Sequence, residues 1–269
     1  MTHLLPFLLY VCAFGLWVRC LLTGRRGRAV RVAMIVTVLA VASHAFALAA
    51  FWICYDELPL VGPGPALSSL AFVGGLATVI IQGGREASRV ALTLLPFILI
   101  VQGVALAIGI GPSPMVLDFQ GTGFIVHVTF AFLGYQGLAV AFAAGVLYLV
   151  QHHELKEKRM GRFFEFIPPL AILDRLGRVG LWAGFGCLTV ALAFGWWWTV
   201  ENRGSLQMAD PKVLWALLSW LVFVGILLVR LAPGRNDYRG ALAAVVGFCV
   251  VIGSYVILRL TLGGSGLFL

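Results

Sequence analysis

Charge is what this chain has least of: only 11% of its 269 residues are Asp, Glu, Lys or Arg, and just eleven are acidic. No apolar stretch carries a carboxylate pair, and GxSxG, HExxH and Walker-type glycine loops are all missing, which argues against an intramembrane protease or kinase. Cysteine is sparse too. Cys12, Cys20, Cys54, Cys187 and Cys249 stand singly in apolar surroundings without a CxxC or CxxCH pattern, so they read as small packing residues rather than redox thiols. No short internal repeat is visible, and polar residues do not recur at matching places in two halves, which weakens an inverted-repeat transporter. No positive residue precedes the first apolar run and arginines follow it, so that run is expected to persist as a helix rather than act as a removable signal.

What the chain does have is apolar length. Eight stretches, Leu4–Leu22, Val30–Cys54, Ala66–Gln82, Val90–Ile110, Thr122–Gln151, Gly177–Val200, Lys212–Leu231 and Ala241–Leu262, approach or exceed the roughly 20 residues that cross a ~30 Å hydrocarbon slab. This predicts an all-α polytopic membrane protein of eight transmembrane helices, a single domain over 1–269 with no room for a soluble one. Sixteen of the nineteen Lys and Arg fall around Arg19–Arg31, Arg85–Arg89, Lys156–Arg178 and Arg230–Arg239. Those loops are expected to face the cytoplasm, which puts both termini on the extracytoplasmic side. The net charge of +8 therefore reports topology and not nucleic-acid binding. Two connections are long. His152–Arg178 is expected to form an interfacial helix broken at Pro168 and Pro169, and Glu201–Pro211 is framed by Trp196, Trp197 and Trp198 before it and Trp215 and Trp220 after it. Gly180 with Gly184 and Ala141 with Gly145, each four apart, predict helices in close approach.

Ionisable groups inside a bilayer are costly, so the few present are candidates for function. His44 falls about 15 Å below the outer end of its span, and His127 about 8 Å below the same surface, at ~1.5 Å per residue. Two neutral imidazoles at similar depth suit axial ligation of a haem iron. They equally suit hydrogen bonds to neighbours such as Ser43, Thr129, Gln102 or Gln136. The tryptophans either form an interfacial belt or cover a flat apolar ligand. Arg259 either snorkels to the surface or holds a carboxylate, and Lys212 has the same two readings.

Several segments, in order, resemble the cytochrome c assembly family of membrane proteins (CcsA/CcmC/HemX-like), closest to its small eight-span HemX-like or YpjD-like branch. They are Ser43-His44-Ala45-Phe46-Ala47-Leu48, Ile125-Val126-His127-Val128 with Tyr135, Pro168-Pro169-Leu170 with Leu173-Asp174-Arg175, Trp215 to Trp220, Tyr238-Arg239-Gly240 and Gly253-Ser254-Tyr255. The resemblance implies haem as cofactor, with His44 matching the membrane histidine and His127 the outer-facing one. Trp196, Trp197, Trp198, Asp210 and Arg259 are then supporting contacts. The chain departs from the family's WGxxWxWDP loop, where Arg203–Pro211 keeps Gly, Asp and Pro but not the tryptophans. It also lacks the histidine expected near Gly263–Leu267, and it has Arg178 where some relatives place a histidine. These departures imply an accessory or regulatory protein of a bacterial inner membrane, working with lipid, haem and other cytochrome c maturation or membrane proteins, rather than a complete haem ligase. The alternative is a cofactor-free membrane partner that stabilises another transport or assembly protein.

Overall fold

The computed structural model describes residues 2–23, 27–81, 87–112, 121–158, 168–205, 210–232 and 237–262. These are helical almost throughout: α1 (Leu4–Leu22), α2 (Arg28–Tyr55), α3 (Pro63–Ile81), α4 (Ala87–Ile108), α5 (Thr122–Lys156), α6 (Leu170–Arg203), α7 (Pro211–Leu231) and α8 (Asp237–Leu262). Seven of them are long and apolar enough to cross a membrane, while the apolar part of α1, Leu4–Cys20, is shorter. The chain is an all-α integral membrane protein. Helices satisfy their own backbone groups, which hydrocarbon cannot do.

Two compact units divide the chain, Met1–Phe119 and Gln120–Leu269. In the first, α1 packs on α2 and α4, and α3 packs on α2 and α4, so the four helices close a ring. The helices are inverted relative to a soluble bundle. The inner stripe of α2 runs Ala33, Thr37, Ala40, Val41, His44, Ala47 and Phe51, whereas its outward residues include Val38, Leu39 and Phe46, the last 72% exposed. Large aliphatic side chains cost nothing against lipid, so small and polar residues are free to line the inside. On α1 the buried positions are Pro6, Tyr10, Ala13, Trp17 and Cys20, a helical period, and the Trp17 indole donates to Thr37 Oγ1 at 3.1 Å. Gly75 on α3 leaves the space that the Tyr10 hydroxyl fills.

The second unit is built on the α5–α6 pair. Gly134 and Gly137 of α5 face Gly180 and Gly184 of α6 so closely that a Cβ at Gly184 would lie 2.8 Å from the Gly134 carbonyl oxygen. The four-residue spacing of Gly180 and Gly184 does mark a close crossing. Gly145, the partner of Ala141 in the same kind of spacing, meets the backbone of Ala241 on α8. Helix α7 packs on α8 and α6, and Leu138, Leu181, Leu188, Phe223, Ile226 and Val251 form the centre.

The largest differences between the helix boundaries and the apolar runs lie in α5 and α6. Both α5 and α6 reach into the segment expected to lie outside the spans, α5 continuing through Lys156 and α6 starting at Leu170. At 35 and 34 residues they run about 50 Å each, well beyond a hydrocarbon slab. The apolarity of a helix ends where its lipid contact ends, but its backbone hydrogen bonding continues into water. Of the His152–Arg178 stretch expected to form an interfacial helix, residues 159–167 lie outside the described residues, as does the Gly263–Leu267 segment.

Candidate functional site

His44 is completely buried in the first unit. Its Nε2 lies 3.0 Å from Ser68 Oγ and its Nδ1 3.4 Å from the Tyr10 hydroxyl, so α1, α2 and α3 all contribute to one polar cluster. The same Ser68 Oγ lies 3.1 Å from Nδ1 of His3, which is 6% exposed. A serine hydroxyl carries one proton, so it donates to one imidazole and accepts from the other, and the two tautomers are coupled through it. The Gln102 amide of α4 reaches the His3 carbonyl at 3.5 Å. Phe72 and Phe51 close the cluster edge-on, at 5.7 Å from His44 and 6.5 Å from His3 between ring centroids. Burial pushes the His3 imidazole below its usual range, which favours the neutral ring. Among the described residues, His3 Nε2 and Gln102 Oε1 are buried without a hydrogen-bond partner.

Of the partners anticipated for His44, none is used. Ser43 Oγ turns back to the Ala40 carbonyl, and Gln102 serves His3. His3, Tyr10 and Ser68 are additions that the sequence reading missed. Tyr10 was detectable from its place on the Ala13–Trp17 stripe; nothing in the sequence ties His3 or Ser68 to His44.

His127 sits in the second unit and is half-buried. Its Nδ1 is 2.7 Å from the carbonyl oxygen of Ala191 on α6. A carbonyl only accepts, so Nδ1 carries the proton and a neutral ring has its lone pair on Nε2. Gly195, one turn further along α6, makes this possible, because a Cβ there would lie 2.6 Å from His127 Nδ1. A pinned Nδ1–H with an available Nε2 is the arrangement that metal-binding histidines use.

The aromatic residues around that end of the unit are distributed unevenly. Trp196 and Trp197 are about half exposed, Trp197 meets Phe194 edge-on, and Trp198 lies 5.6 Å from Phe124. Gly123 leaves space for Trp197 and Trp198 against α5. Trp215 stacks on Tyr135, contacts Tyr255 at the same 5.2 Å, and donates to the Val251 carbonyl, so three of the resemblance's anchor residues form one ladder. Asp210 is the N-cap of α7, accepting from the Lys212 amide at 2.8 Å. Arg259 falls within α8, with its side chain outside the described residues, as are residues 206–209 of the outer loop.

At the other end of the second unit Asp174, 6% exposed, takes ion pairs from Arg178 and from Arg230 Nη1, the latter at 2.8 Å. Among the described residues no group of three or more His, Cys, Asp or Glu is placed to hold a bare metal ion. Iron carried in a macrocycle asks less of the protein: one or two axial side chains.

A family model described as "Cytochrome C assembly protein" matches residues 1–264. The "Cytochrome c biogenesis protein CcsA" of Chlamydomonas reinhardtii is 34% identical over 157 residues, covering 58% of this chain and 42% of that protein. The protein of the same name from Porphyra purpurea is 25% identical over 260 residues, 82% of each chain. "Protein HemX" of Bacillus subtilis is 30% identical over 134 residues, 50% of this chain and 49% of that one. The chain spans about half the length of the first curated relatives it matches, 42% and 51% for the Chlamydomonas and Guillardia theta proteins.

Proposed function

The chain belongs to the cytochrome c assembly protein family, and from that premise we propose that it handles haem in a bacterial inner membrane, as an accessory or regulator of cytochrome c maturation. Residues 1–269 act as one assembly domain with eight spans and both termini outside. The observation that carries the reading is His127: its Nδ1 is pinned by Ala191 and its Nε2 is left to bind iron, on a half-buried ring beside exposed Trp196 and Trp197. Bound haem supplies redox iron and two propionates. The chain supplies the imidazole, the exposed rings of Trp196 and Trp197 with Trp198 behind them on Phe124, and Arg259 as a propionate partner, with Asp210 fixing the start of α7 behind the loop. His44 is a second candidate imidazole, in the first unit, and binding iron there requires its Nε2 to leave Ser68. An accessory role is favoured over a ligase because the tryptophans of the family loop and the histidine after it are missing.

The test is absorption spectroscopy of the detergent-purified protein loaded with haemin. A Soret band is expected, lost in His127→Ala and weakened or shifted in His44→Ala. An unchanged spectrum in both variants removes these ligands. One observation favours a second reading, a cofactor-free partner subunit: both ring nitrogens of His44 are already engaged by protein groups. Absence of any band, with a stoichiometric membrane partner copurifying, would establish that reading instead.

A further inference from the structure

Four groups of the first unit are joined end to end. The Tyr10 hydroxyl meets His44 Nδ1 at 3.4 Å, His44 Nε2 meets Ser68 Oγ at 3.0 Å, and the same Oγ meets His3 Nδ1 at 3.1 Å. Hydroxyls and neutral imidazoles both donate and accept, so the chain of protons can run in either direction. All four side chains are buried, where an unmet donor or acceptor is costly. The two directions therefore differ in what each leaves unpaired.

If Tyr10 donates, its proton goes to His44 Nδ1, the proton of His44 sits on Nε2 and goes to Ser68, and the Ser68 proton goes to His3 Nδ1. Among the described residues only the Nε2–H of His3 is then left without a partner in this chain. In the opposite direction Nδ1–H of His44 points at the Tyr10 oxygen, and the phenol proton is stranded. Among the described residues that hydroxyl bonds to His44 alone, and it abuts α3 at Gly75, where a Cβ would lie 2.2 Å from it and no acceptor is offered. His3 Nε2 becomes a second unmet group, a bare lone pair. If both imidazoles donated into Ser68, the serine proton would be stranded in place of the phenol's.

We propose that Tyr10 sets the tautomer of His44, holding its proton on Nε2 and its lone pair on Nδ1, the reverse of His127. Tyr10 is thus a positioning residue that acts through His44. On the haem reading above, it also decides between the two imidazoles. The His44 nitrogen that would bind iron carries a proton, and freeing it means moving that proton to Nδ1 and turning the Tyr10 hydroxyl away. His127 needs no such change, because Ala191 already holds its proton on Nδ1.

Long-range proton–nitrogen correlation NMR of the full-length protein with isotope-labelled histidines, in detergent and without haem, reads the two nitrogens of each ring separately. His44→Ala and His127→Ala assign the signals. His44 should show the proton on Nε2 and His127 the proton on Nδ1. Tyr10→Phe should reduce His44 to a mixture of both forms, a change of about tenfold in their ratio. Ser68→Ala should leave the His44 proton on Nε2, because Tyr10 still donates to Nδ1. A His44 proton found on Nδ1, or a His44 pattern unmoved by Tyr10→Phe or altered by Ser68→Ala, overturns the proposal. Because haem takes no part in this measurement, failure to bind haemin would remove the haem reading and leave the tautomer assignment standing.

Discussion

His44 and His127 are the same side chain on two apolar helices, yet one is closed and the other open. In the first unit His44 is completely buried and meets a hydroxyl at each ring nitrogen, from Ser68 and Tyr10. In the second, His127 is half-buried and gives one nitrogen to a carbonyl, which fixes the tautomer and frees the other. The difference comes from what approaches each ring. Around His44 are polar side chains of two other helices, α1 and α3; around His127 the α6 backbone comes close because residue 195 is glycine. An imidazole with a hydroxyl at each nitrogen has both committed, and one held by a single carbonyl has one committed.

The strongest way to break this contrast is the pair of histidine variants: His127→Ala should abolish haem absorbance, while His44→Ala leaves a band of altered intensity or position. If the two variants behave alike, the open-and-closed distinction has no functional meaning. Next in size is Ser68→Ala, which leaves His44 Nε2 and His3 Nδ1 without their shared partner. It should destabilise the protein by about 1–3 kcal/mol, read as a lower unfolding midpoint in detergent. Gly195→Ala sharpens the other side. Its methyl would displace the His127 ring from Ala191, so haem affinity should fall by about tenfold, or ~1.4 kcal/mol, with little change in unfolding midpoint. Tyr10→Phe should be the mildest. The 3.4 Å contact to His44 is long, and its loss should cost roughly 0.5 kcal/mol in the same unfolding measurement.

Much of this was legible in the chain. Apolar runs and their basic borders located the helices, and the spacing of Gly180 and Gly184 announced the close α5–α6 crossing. His44 and His127 stood out because ionisable groups are rare in such runs. The Ala191 carbonyl that orients His127 was not legible, because every residue has a carbonyl and composition marks none of them. Nor was Asp174's pairing with Arg230, 56 residues away, because nothing in a sequence marks which of several distant arginines a carboxylate will meet. The Asp210 carboxylate accepts from the Lys212 backbone amide across the first turn of α7, a capping contact that is a local matter.

By itself, the order of apolar and charged residues determined that this is an α-helical membrane protein, and where along its helix each histidine stands. Those are properties of one helix at a time, set by hydrophobic length and by rise per residue. Which nitrogen each histidine has to offer was decided only by tertiary structure. The groups that answer it lie 24, 34 and 64 residues away, and only the packing of separate helices brings them within hydrogen-bond reach.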